Sequence, residues 1–75
     1  MVQTHSFLIQ SFRYCGDFID FIGIDNIDVV RDGIDTKFYD NGTSNLLVTL
    51  RRTTGLTEAD VGVNLFSDGN FAFNS

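Results

Sequence analysis

The stretch "DFIDFIGIDNIDVVRDGID", residues 17–35, holds six aspartates: Asp17, Asp20, Asp25, Asp28, Asp32 and Asp35. Carboxylates at this density can bind a hard metal ion, stand in for the phosphates of a nucleic acid, or simply solvate one side of an amphipathic segment. Calcium needs about six to eight converging oxygens, and the EF-hand ladder of alternating acidic positions is absent. Asp25-Asn26-Ile27-Asp28 sets its carboxylates three positions apart, and "GIDNI" matches half of a calcium β-roll repeat without the tandem copies that build such a site. Asp32 and Asp35 beside Gly33 supply only a pair. No metal and no cofactor are expected.

The remaining catalytic candidates do not converge in sequence. His5 is the only histidine and Cys15 the only cysteine. No motif supplies a third group to orient that pair, so His5 reads as a polar residue opening a strand and Cys15 as a small buried hydrophobe. The glycines stand singly, so neither a phosphate-cradling loop nor a nucleophile elbow is present. Paired carboxylates could serve glycoside hydrolysis, but a chain of 75 residues offers no evident groove for a sugar. No catalytic residue is assigned, and the protein is expected to bind rather than to catalyse.

Charge distribution narrows the partner. The formal net charge is −5, and residues 17–40 carry all of it: seven aspartates there face only Arg31 and Lys37, whereas acids and bases balance elsewhere. DNA, RNA and anionic lipid require a positive patch, so direct binding to nucleic acid or membrane is not expected. A protein partner with a basic surface is. On this reading Asp25, Asp28, Asp32 and Asp35 form an acidic face that competes with nucleic acid for the basic groove of a nucleic-acid-processing complex. Size and charge, with no family motif, liken such a protein to the viral or mobile-element inhibitors of defence machinery, a CRISPR effector being one target of that kind (an anti-CRISPR role).

The elements that must position these residues are read from turn chemistry. Asp32-Gly33, Asn41-Gly42 and Asp68-Gly69 lie between segments rich in β-branched and aromatic residues, which predicts three hairpins. A two-residue loop at Asp32-Gly33 pairs Val29 with Thr36 and Asp28 with Lys37. One face then collects Ile27, Val29, Ile34 and Phe38, and the other Asp28, Asp35 and Lys37, with Val30 as the exception. Asp17 as N-cap and Gly23 as stop predict a short helix over 18–22. "HSFLIQSFRY" reads as a first strand, and "TKFYD" pairs with "NLLVTLRR" through a turn at Asn41-Gly42-Thr43, a sequon better read as a turn than as a glycan acceptor. Thr57 and Asp60 stand at capping-box spacing for a single helical turn. The fold expected is α+β and mostly β: a small antiparallel sheet of four to five strands built from hairpins, with one short helix near 18–22, in a single domain over 1–75.

The last predicted hairpin, "VGVNLF" with "NFAFN", is apolar on both faces. Its pairing sets Phe66 opposite Phe71 with Phe73 alongside, which makes these three phenylalanines the candidate interface of a homodimer or assembly subunit. Eight phenylalanines and 43% hydrophobic residues are enough for a packed core. No run approaches the roughly 18 apolar residues of a membrane span, and the N-terminus lacks a signal-peptide pattern, so a cytoplasmic location is expected.

Overall fold

A computed structural model describes residues 7–74. Its strands are β1 (Phe7–Ile9), β2 (Ile19–Phe21), β3 (Asn26–Asp32), β4 (Asp35–Asp40), β5 (Leu46–Leu50), β6 (Leu65–Ser67) and β7 (Asn70–Asn74). The expected β character is observed, with one five-stranded sheet in the order β1-β5-β4-β3-β7. The sheet is mixed rather than antiparallel: β3, β4 and β5 form an antiparallel meander, while β1 and β7 add in parallel at its two edges. β2 and β6 pair in parallel as a separate ribbon. Among the described residues, the only helical turn is 3₁₀, and no helix is long and apolar enough to cross a membrane.

Alternation of side chains decides which sheet face becomes the core. Ile27, Val29, Phe38, Val48 and Leu50 point to one face of the five-stranded sheet and are buried there with Phe21 and Leu65 from the ribbon. Phe21 joins the two layers, its ring lying 5.2 Å from that of Phe38 and 5.9 Å from that of Phe71. Leu56 closes the end of this core from the loop after β5. That loop is held down by the buried Thr36, whose hydroxyl donates to the Thr53 carbonyl at 2.5 Å.

The hairpin of β3 and β4 forms at the expected place with its register moved by two residues. Asp32 pairs with Asp35, so the loop is Gly33-Ile34, with Gly33 at φ 66°. A slip of two preserves both faces, so the apolar pattern cannot distinguish the registers. The observed one sets Val29 against Phe38, joining two large apolar side chains. Ile34 moves to the loop tip and is 63% exposed, correcting its place on the core face. β4 and β5 are joined as expected through a turn at Asn41-Gly42, where Asp40 caps the loop by accepting from the Gly42 N–H at 2.9 Å. Thr57 and Asp60 form the expected capping box around Glu58–Asp60.

Four other expectations are corrected. The segment 18–22 holds strand β2 (Ile19–Phe21) and no helix. Asp17 instead accepts from the Arg13 backbone N–H at 3.0 Å, closing the preceding turn, and β-branched Ile19 gains backbone partners from β6. Cys15 is exposed in that turn rather than buried. The first strand shortens to Phe7–Ile9, and His5 lies outside the described residues.

The fourth correction concerns the last hairpin. β6 and β7 do not pair with each other; they lie in different layers, and Asp68-Gly69 is the corner between them. β2 and β3 make the same crossing at Ile22–Asp25. The two corners therefore stack, with the Asn70 N–H donating to the Asp25 carbonyl at 2.7 Å and the Gly23 N–H donating to the Asp68 carboxylate at 3.0 Å. A chain that changes layer needs no antiparallel return, which is why a turn dipeptide could mislead.

Candidate functional site

The outer face of the five-stranded sheet carries the residues of opposite parity to the core: Asp28, Val30 and Asp32 from β3, Asp35, Lys37 and Tyr39 from β4, Thr49 from β5 and Ala72 from β7. None of them is buried. Three of the four aspartates named from sequence thus share one uncovered surface. Asp25 does not, because it stands in the corner before β3. At about 3.3 Å per residue, β3 alone puts roughly 20 Å between its first residue, Asn26, and Asp32.

The observed register places Asp32 directly across from Asp35. Two carboxylates in that relation repel, and each is met by a cation. The Lys37 ammonium lies 2.8 Å from Asp32, and the Arg51 guanidinium 3.8 Å from Asp35, which also accepts from the Arg52 backbone N–H at 2.9 Å. The cross-strand partner expected for Lys37 was Asp28; Lys37 instead reaches Asp32, and Asp28 accepts from the Asn41 side-chain amide at 3.1 Å. The hydrogen bond from Lys37 to Asp32, followed by the negative charge of that carboxylate, raises the Lys37 pKa above its ordinary 10.5. Asp32 nevertheless keeps 61% of its side chain exposed, and a carboxylate holding one ammonium has acceptor sites left for an incoming arginine.

The phenylalanines named as an interface separate. Phe71 and Phe73 turn inward and are half-buried against the core, while Phe66 faces outward from the ribbon. There it meets Phe18 edge to face, with ring centres 5.7 Å apart. Phe18 was missed because it fell in the predicted helix; read as a strand, Phe18, Asp20 and Ile22 alternate outward, and both Phe18 and Ile22 are exposed.

An open cleft of about 540 Å³ lies at the end of the core between β7 and the loop 55–59. Val29, Leu56 and Phe73 line it with Arg31 and Glu58. The Arg31 guanidinium donates to the Gly33 carbonyl at 3.3 Å. Among the described residues, no three His, Cys, Asp or Glu side chains gather closely enough to hold a metal ion.

No protein-family model, curated protein or solved structure matches this chain.

Proposed function

We propose that this chain is a small acidic binding protein that presents the outer face of its five-stranded sheet to the basic groove of a nucleic-acid-binding protein and inhibits it by occupying that groove. The observation that carries this reading is the gathering of Asp28, Asp32 and Asp35 on a single uncovered sheet face, held by paired strands and not by a loop. Rigid carriage lowers the entropic cost of docking. Lys37 and Arg51 keep the two facing carboxylates together in the free protein, and the exposed Asp32 offers the first contact to an arginine or lysine of the partner. Tyr39 and Val30 add apolar surface between the charges, which a protein partner can use and a mere solvated face does not need. Asp25 is at most a peripheral contact in this geometry. The target class is a nucleic-acid-processing machine, among which a defence nuclease is the kind suggested by the chain's size and charge.

Capture from a cell lysate on the immobilised protein, with low-salt and then high-salt washes and mass spectrometry of the bound proteins, tests it. Nucleic-acid-binding proteins should be retained at low salt and released at high salt. The double variant Asp28→Lys/Asp32→Lys, which spares the anchored Asp35, should lose them. Equal recovery on the variant would sink the proposal.

A further inference from the structure

β7 is an edge strand with the sequence Asn70-Phe71-Ala72-Phe73-Asn74, which reads the same in both directions. It carries no charge, no proline and no bulge, the usual devices that keep sheet edges from pairing. The Asn70 N–H points inward, donating to the Asp25 carbonyl at 2.7 Å. Because successive residues of a strand direct their N–H and C=O groups to opposite sides, Ala72 and Asn74 also point toward β3, and Phe71 and Phe73 direct theirs out along the free edge.

We infer that this edge pairs with the same edge of a second copy, antiparallel and centred on Ala72, making a two-fold dimer with a continuous ten-stranded sheet. In that register Phe71 of one copy faces Phe73 of the other, and each such pair exchanges both of its N–H···O=C bonds. All four outward groups on each strand find partners at once. Displacing the register by two residues leaves some of them unpaired, so the palindrome and the direction of the free groups select one alignment. The aromatic side chains lie on the core face of each sheet, where Phe71 and Phe73 of one copy already sit with ring centres 6.5 Å apart and are only half-buried. The two-fold axis brings four such rings together, covering the sides that a single copy leaves open.

Ala72 provides the test, since it is exposed on the outer face and meets its own copy at the axis as a non-hydrogen-bonded pair. Sedimentation velocity over a concentration series should show a monomer–dimer equilibrium for the unmodified protein. Ala72→Lys and Ala72→Glu each place like charges directly opposite and should weaken the dimer about tenfold, whereas their equimolar mixture should restore it as a heterodimer. In a Cys15→Ser background, Ala72→Cys should form an intermolecular disulfide on mild oxidation, because the Cβ atoms of such a pair lie about 4.5–5.5 Å apart. A monomer at every concentration would overturn the inference. So would a dimer indifferent to both charges, or open-ended growth, which requires a head-to-tail contact in place of a two-fold one.

Discussion

Gly69 sits where the two corners touch, and the reason for a residue without a side chain is steric. A Cβ at that position would lie 1.7 Å from the Asp25 carbonyl oxygen, a backbone atom that cannot swing away. Gly69→Ala is therefore expected to cost about 2–3 kcal/mol, read as a lower urea midpoint. Gly16→Ala, which meets nothing within 4 Å, is the matched control and should change little. Tyr14 supplies a second residue-scale prediction. Its hydroxyl donates to the Thr54 carbonyl, and burial, followed by the negative charge of Asp60, raises its pKa above 10.0. The folded state thus holds the phenolic proton more tightly than the unfolded chain. That contribution is complete below pH 10.0 and is lost as pH rises through the raised value, as is the contribution of Lys37 above 10.5. Urea midpoints should fall in this alkaline range, and the ultraviolet titration of Tyr14 in a Tyr39→Phe background should have its midpoint above 10.0.

At the scale of elements, the legible parts were those set by local chemistry. Val29 and Phe38 were assigned to the buried face because a period of two survives a register slip of two, and the Thr57–Asp60 box was visible because it spans one turn. The same slip hid the contact between Lys37 and Asp32, since face and register are different pieces of information. Segment 17–23 carried a helix-like cap and stop, but a five-residue helix has few internal hydrogen bonds, and pairing with β6 supplies more. Asp68-Gly69 had the composition of a hairpin turn and is an interlayer corner. Nothing within ten residues of it records that β2 and β3 have already made the crossing alongside which it stacks. Of the acidic face, Asp28 and Asp35 were recoverable from alternation, whereas Asp32, assigned to the loop, joins the strand only through the register slip, and the separation of Asp25 and the split of Phe66 from Phe71 and Phe73 depended on topology.

Across the whole molecule, near and distant pairings divide cleanly. β3, β4 and β5 follow one another through tight turns, whereas the three parallel strand pairs join remote parts of the chain: Phe7 with Val48, Ile19 with Leu65, Asn26 with Asn70. Closing those loops costs entropy before the contacts form, so the meander should order first and the parallel strands last. Pulse-labelled hydrogen exchange during refolding tests this. Amides of β3 to β5 should gain protection ahead of those of β6 and β7, and simultaneous protection of all strands would argue against it.

The stacked corners have one more consequence. Because β6 lies alongside β2 and β7 alongside β3, the ribbon and the sheet each receive one strand from the same short stretch, and the loop at Arg52–Gly55 that leads into it is pinned through the buried Thr53 and the Arg52 N–H on Asp35. Residues 56–74 thus form a clip that seats in two ladders at once, latched by the core side chains Leu56 and Leu65 and by the Asn64 amide, which donates to the Tyr14 and Asp17 carbonyls, as well as by backbone pairing.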